Sequence, residues 1–201
     1  EKVNFGALRV LNDDIIQGGM GFGTHPHDNM EIITIPLKGS LKHRDSMTNE
    51  WIPIHAGEVQ VMSAGTGVQH SEMNNHPSEE INLFQIWIIP NQQEVEPRYD
   101  QKKFETSERK NKLQILVSSI DEVLEGSLKI HQNAQISRID LDENANFIYK
   151  LKSEMNGVYA LLIDGEVMID QKTLHKRDAI GIEQIASFEI TSIKNAQILF
   201  I

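Results

Sequence analysis

The sequence predicts an all-β protein made of two related β-barrel units. Three observations carry that prediction. Helical periodicity is almost absent along the 201 residues, and short β-rich runs alternate with Gly, Asn, Asp and Pro turns. A pattern of strand, glycine turn, strand and polar turn occurs twice. Leu37-Lys38-Gly39-Ser40-Leu41 followed by His55-Ala56-Gly57-Glu58-Val59 answers to Ile163-Asp164-Gly165-Glu166-Val167 followed by Lys176-Arg177-Asp178-Ala179-Ile180. Between the two lies a stretch with little apolar material, including Asn91, Gln92, Gln93, Glu94 and Pro97.

In chain order, the first unit is expected over residues 1–90, with strands at 5–10, 30–37, 40–45, 50–54, 58–62, 68–73 and 81–89. Turn signals separate them at Asn12-Asp13-Asp14, Lys38-Gly39, Ala56-Gly57 and Gly65-Thr66-Gly67. Residues 91–112 read as a linker or strap. The second unit is expected over 113–201, with strands at 113–117, 128–131, 135–141, 147–151, 158–163, 166–169, 179–182, 188–191 and 196–200. A helical turn is expected at 120–124.

Charge and composition exclude several functions. Nineteen Lys and Arg against 29 Asp and Glu give a net charge of -10, with no basic stretch to meet phosphates, so direct nucleic-acid binding is disfavoured. Acidity is compatible with a protein partner. No cysteine is present, which rules out disulfides, cysteine-zinc sites and a thiol nucleophile, and fits a cytoplasmic protein. The longest apolar runs, such as 86–89, are too short to cross a bilayer, and no membrane role is expected. No signal peptide is visible, although the chain begins at Glu1 rather than Met.

Two pairs carry the chemistry. His25-Pro26-His27 and His70-Ser71-Glu72 each space two metal-capable side chains by two residues, which on a strand puts both on one face. Neighbouring strands would then aim three imidazoles and a carboxylate at one point. Such donors suit a divalent transition metal better than calcium or magnesium. Four side-chain ligands leave about two positions open on an octahedral ion, whereas four-coordinate zinc would be closed and structural. Transferring the spacings onto the second unit puts Leu151, Ser153 and Ile190 where His25, His27 and His70 stand, so that unit is expected to be metal-free.

The remaining histidines are weaker candidates. His43 and His55 lie near strand ends and read as surface or hydrogen-bonding residues. His76 sits in a polar loop, His131 reads as a satisfied core histidine, and His175 as exposed. On a strand continuing from His27, Glu31 would share the histidine face as an outer or alternative ligand, ranked below Glu72. Phe22, Met30, Met62, Met73, Phe84 and Trp87 are mostly core, with a few available to line an apolar pocket for a flat aromatic ligand.

These motifs have a relative. Gly23-Thr24-His25-Pro26-His27 with Met30-Glu31-Ile32 and Gly39 resembles the first cupin motif. Ala64-Gly65-Thr66-Gly67-Val68-Gln69-His70-Ser71-Glu72 resembles the second as it occurs in pirins. Gln85-Ile86-Trp87-Ile88, Pro97-Arg98-Tyr99 and Leu128-Lys129-Ile130-His131-Gln132 are also similar to pirin-family sequence, so the likeness covers nearly the whole chain. It lies nearest to bacterial pirin-like quercetin 2,3-dioxygenases, whose members usually begin with an additional N-terminal stretch. The second motif lacks the proline of many cupins, with Ser63 near that place, as in pirins.

The resemblance implies a bicupin, two β-barrel (double-stranded β-helix) domains facing each other with metal only in the first. It implies His25, His27, His70 and Glu72 as metal ligands and one divalent metal per chain. Iron is the expected metal, and nickel, copper, manganese, cobalt or zinc are also accepted by these ligands. The implied activity is a metal-dependent dioxygenase on a quercetin-like flavonol. Glu72 takes the 3-hydroxyl proton, dioxygen adds across the heterocycle, and the ring opens with release of carbon monoxide. The alternative is a metal-bearing regulatory protein that docks onto a protein partner without turnover. A monomer is expected, since a bicupin supplies its own second barrel.

Overall fold

The computed structural model describes residues 4–201, so the first three residues of the expected first unit lie outside it. The chain forms β1 (Leu8–Ile16), β2 (Gly21–His27), β3 (Glu31–Lys38), β4 (Ser40–Asp45), β5 (Ile52–His55), β6 (Glu58–Ser63), β7 (Val68–Asn74), β8 (Ile81–Ile88) and β9 (Arg98–Lys103). It continues through β10 (Gln114–Ser119), β11 (Leu128–Ile130), β12 (Ile136–Leu141), β13 (Asn146–Lys150), β14 (Gly157–Ile169), β15 (Lys172–His175), β16 (Ala179–Glu183) and β17 (Ser187–Phe200). The all-β reading holds.

The first unit is a larger sheet, β1-β8-β3-β6-β9, facing a smaller one, β2-β7-β4-β5. These are facing sheets of jelly-roll type, not the closed barrels expected. The second unit repeats the order. The C-terminal half of β17 lies between β12 and the N-terminal half of β14, which pairs β16. The N-terminal half of β17 lies between β13 and the C-terminal half of β14, which pairs β15.

The duplication also shows in detail. Gly39 separates β3 from β4 where the chain changes sheet, and Gly165 marks the same corner inside β14, between register shifts. Both have positive φ, and a Cβ on Gly165 would lie 2.1 Å from the Asn195 carbonyl oxygen. The polar turns match as well. His55 N–H donates to Glu58 Oε2 at 2.6 Å, and His175 N–H donates to Asp178 Oδ2 at 2.9 Å.

Several local expectations fail for identifiable reasons. Asn12-Asp13-Asp14 is no turn but the middle of β1, where these residues pair with Gln85, Phe84 and Leu83. β1 is an edge strand, so it tolerates polar side chains that face water. Polar composition also hid β9 within the expected linker. It pairs along β6 from Glu58↔Lys103 to Ser63↔Arg98 as the opposite edge. No helix forms at 120–124, because the Ser119 and Ser118 hydroxyls accept the N–H groups of Asp121 and Leu124. The short helical turn described is a 3-10 turn at Thr106–Arg109.

The two units share one core. Ile33, Ile35, Val61, Phe84 and Ile86 on the larger first sheet pack with Leu116, Val117, Ile130, Leu161 and Leu199 of the second unit. β3 is therefore buried on both faces over Glu31–Pro36, which explains its near-continuous apolar run. Its other face looks into the first unit, towards the smaller sheet.

Gly65 ties the strap to this frame. It has φ +48°, and a Cβ there would lie 2.0 Å from the Val95 carbonyl oxygen, which accepts Thr66 N–H at 3.0 Å. Gly65→Ala is expected to destabilise the protein by about 2 kcal/mol or more, from left-handed strain plus strap displacement. Urea unfolding of the two proteins measures this directly.

Candidate metal centre

The centre is built on β2, β4 and β7 of the smaller sheet. β2 lies against β7 so closely at Gly21 that a Cβ would fall 2.2 Å from the Glu72 carbonyl oxygen. A register shift between Phe22 and His25 then sets His25 directly opposite His70. His27 shares the His25 face two residues on. The structure thus brings together His25, His27 and His70, with one donor atom of each inside a mutual distance of 4.8 Å. Glu72 forms a second group with His70 and His43 under the same limit. The four expected ligands therefore fall into two overlapping groups that share His70.

Hydrogen bonding prepares these nitrogens. His25 Nδ1 donates to the Gly23 carbonyl oxygen at 2.8 Å, which leaves its Nε2 lone pair free. That Nε2 lies 2.9 Å from His70 Nε2. Adjacent donors on a metal with bonds of about 2.1 Å stand about 3 Å apart in octahedral geometry, so the spacing fits. His27 Nε2 is buried with no hydrogen-bond partner. Two convergent nitrogens and an orphaned third are what a cation would satisfy.

The electrostatics agree. Burial pushes the His70 imidazole down to about 4, assisted by His43, His25 and His27 and opposed by Glu72. Burial and His25 also lower His27. Both rings are neutral near pH 7 and can offer lone pairs. Burial alone would raise the Glu72 carboxyl. The His43 and His70 imidazoles and the Gln85 amide more than offset this and hold it below the usual carboxylate range. Gln85 Nε2 donates to Glu72 Oε2 at 2.8 Å, and Trp87 Nε1 donates to Gln85 Oε1 at 3.1 Å. Trp87 also meets His27 edge-on at 4.9 Å between ring centroids.

Not every candidate lies here. Glu31 faces elsewhere, accepting Ser63 Oγ–H at 2.7 Å and lying 3.0 Å from His131 Nδ1. The strand does not continue from His27, because Asn29 turns through positive φ and β3 begins in the other sheet. His131 is satisfied by Glu31, at the junction of the two units. His55, His76 and His175 are exposed. Phe84 belongs to the core between the units, while Met30, Met62 and Trp87 cluster with Ile32 and Val68.

His43 is a hydrogen-bonding residue, as expected, but not a surface one. It is completely buried, with Nε2 donating to Asp45 Oδ2 at 3.0 Å and Nδ1 accepting from Gln60 at 3.2 Å. The strap's Tyr99 ring lies 5.3 Å from it. Burial would raise the Asp45 carboxyl, but the Thr48 and Met47 amides and His43 hold it low. The signal was present: His43-Arg44-Asp45 has the same two-residue spacing as the ligand pairs, on a strand the sequence predicts.

Pairing also corrects the counterparts in the second unit. His43 lies four residues past Gly39, as Ile169 lies past Gly165, and their partners are Glu72 and Ile190. Two residues earlier stand His70 and Phe188, opposite His25 and Tyr149. The counterparts of His25, His27 and His70 are thus Tyr149, Leu151 and Phe188, each two residues before the counted position because the loops between matching strands differ in length, and Ile190 answers to Glu72. Tyr149 stacks on Phe188 at 5.2 Å and 17°, and an apolar cluster fills the place of the imidazoles.

A two-unit cupin with a histidine-lined centre in its first unit is the class that this fold and site define. Residues 1–88 match the Pirin family model, and residues 116–201 match the model of the quercetinase C-terminal cupin domain. The chain is 39% identical over 198 residues to the quercetin 2,3-dioxygenase of Escherichia coli K12, covering 98% of this chain and 82% of that protein. It is 36% identical to a pirin-like protein of Caulobacter vibrioides over 100% of this chain and 84% of the relative. The crystal structure of the bacterial pirin YhhW from Escherichia coli in complex with nickel(II) superposes with TM-score 0.90 at 36% identity, covering 98% and 82% of the chains. This chain belongs to the pirin family. Among the described residues no helix is long and apolar enough to cross a membrane.

Proposed function

We propose that this pirin is a metal-dependent dioxygenase that opens a flavonol ring with release of carbon monoxide. The observation that carries the reading is the convergence of His25, His27 and His70, with His25 Nε2 and His70 Nε2 2.9 Å apart beside an ionised, buried Glu72. The relatives named quercetin 2,3-dioxygenase and the nickel(II) complex of YhhW support it. His25, His27, His70 and Glu72 would hold one divalent transition metal, iron being the expected one. Bound there, the metal supplies Lewis acidity and open positions for a hydroxylated substrate and dioxygen.

The protein's own groups then have defined tasks. The neutral His27 and His70 imidazoles provide lone pairs without adding positive charge. Glu72 would accept the proton of the substrate 3-hydroxyl on a carboxylate oxygen. Gln85, steadied by Trp87, holds the other Glu72 oxygen in place during that change. The net reaction consumes one dioxygen per flavonol and yields a ring-opened ester and one carbon monoxide.

Glu72→Gln tests the base assignment. The amide can still ligate through oxygen but cannot take the proton, so the variant should retain bound metal while turnover falls about 100-fold or more. Metal analysis beside oxygen uptake and carbon monoxide detection measures both. Full activity in Glu72→Gln removes Glu72 as the base.

A further inference from the structure

The residues behind His70 have no role in the reaction as proposed. A neutral His70 carries one ring proton and has two places for it. On Nε2 the proton is donated to His25 Nε2 at 2.9 Å; on Nδ1 it points at His43 Nδ1, 3.5 Å away. A metal on Nε2 removes the first option. What His43 offers at Nδ1 is fixed from its far side. Asp45 Oδ1 accepts the amide hydrogens of Met47 and Thr48 at 2.9 and 3.0 Å, and Oδ2 faces His43 Nε2 at 3.0 Å. A carboxylate only accepts, so His43 carries its proton on Nε2 and presents a lone pair at Nδ1; Glu72 Oε1, 4.0 Å from that nitrogen, is beyond hydrogen-bond reach and acts on the ring through space only.

We propose that His43 and Asp45 are positioning residues for the metal centre: His43 Nδ1 accepts the Nδ1–H of His70 and so commits His70 Nε2 to the metal. This rests on His70 being a ligand. Gln60 donates to the same Nδ1 at 3.2 Å, so the one lone pair of that nitrogen is shared between the two donors, and the Tyr99 ring lies 5.3 Å from the His43 ring. All of these groups are on rigid strands or packed against them, and His43 and Asp45 are 0% and 3% exposed. Such a partner fixes the tautomer and orientation of a ligand and raises its basicity.

The test uses the full chain with cobalt(II) and zinc(II) as probes, and neither oxygen nor a flavonol. His43→Phe removes the acceptor while filling the space, and should weaken cobalt(II) binding in chelator competition about 10- to 100-fold. His43→Gln can donate to Asp45 through its amide nitrogen and accept from His70 through its oxygen, and should restore most of the affinity. Asp45→Asn is the second variant should His43→Phe not fold. Its oxygen is claimed by the Met47 and Thr48 amides, so its NH2 faces His43 Nε2. That forces the His43 proton onto Nδ1, against His70 Nδ1–H, and affinity should fall as in His43→Phe. In the zinc(II)-loaded protein, nitrogen-15 NMR of the imidazoles should find the His70 proton on Nδ1.

Cobalt(II) affinity within twofold of wild type in both His43→Phe and Asp45→Asn overturns the proposal, as does a His70 bound to zinc through Nδ1. A wild-type protein that binds cobalt(II) normally but consumes no oxygen with flavonols leaves this relay standing and removes only the dioxygenase reading. A wild type that binds no cobalt(II) or zinc(II) removes both.

Discussion

His70→Ala is expected to empty the metal centre. His70 is the one residue shared by both donor groups, and it faces His25 Nε2 at 2.9 Å. Its loss leaves His25 and His27 on one strand and Glu72 on another, with no imidazole linking them. Metal content should fall from about one per chain to below about a tenth, since losing a directly bonded ligand exceeds the 10- to 100-fold effect of outer partners. Any oxygen uptake should vanish with it. The fold should survive, because His70 contributes little apolar packing and the nearby clusters of Ile32, Met62 and Val68 and of Leu41, Ile54 and Leu83 are untouched. Metal analysis and circular dichroism on the same preparation separate lost metal from lost fold.

Phe84→Ala is expected to have the largest effect on stability. Phe84 lies on β8, between β1 and β3, with no exposed surface. It belongs to the core that joins the two units, and the Arg177 guanidinium of the second unit sits 5.1 Å from its ring centre. Arg177 in turn pairs with Asp13 at 3.0 Å and donates to Asn82 at 2.9 Å, both in the first unit. Truncation should cost about 3–5 kcal/mol from the cavity and lost burial, before any loss of the stacked cation. Against a typical total of about 5–15 kcal/mol, that is a large fraction. Urea unfolding should show a lower midpoint with a similar slope; an unchanged midpoint would mean that the shared core contributes little.

The sequence made the strands and the centre legible to different depths. Strands with clear alternation and Gly-marked ends, such as β4, β6 and β7, were readable to within a residue. Those that failed were edge or polar strands. β1 carries Asn12-Asp13-Asp14 in mid-strand, β2 is mostly Gly, Thr, Pro and His, and β9 is Arg98-Tyr99-Asp100-Gln101-Lys102-Lys103. Backbone pairing with a neighbour decides such elements, and a single sequence does not display the neighbour. β14 and β17 were each read as two strands because a polar corner looks like a turn. In the structure Gly165 bends β14 as one continuous strand, and β17 runs unbroken through Ser192-Ile193-Lys194-Asn195.

At the centre, the spacing of two exposed the histidine pairs because a strand's side-chain period is two. The same rule applies equally to His43 and Asp45, but a place near a strand end suggests a surface or hydrogen-bonding role for His43, and burial is not displayed by the spacing. Glu31 misled because the rule assumes an unbroken strand, and Asn29 breaks it. The apolar second centre followed from the repeat, although loop lengths displaced the counted positions by two residues.

The most direct measurement is anaerobic metal analysis of freshly purified protein, followed by oxygen uptake with quercetin before and after chelation. About one redox-active divalent metal per chain is the predicted result, with oxygen consumed one-to-one with quercetin, carbon monoxide released, and activity lost on chelation and regained with metal. Bound metal with no oxygen uptake would contradict the dioxygenase account and leave a metal-bearing protein whose work is binding rather than turnover.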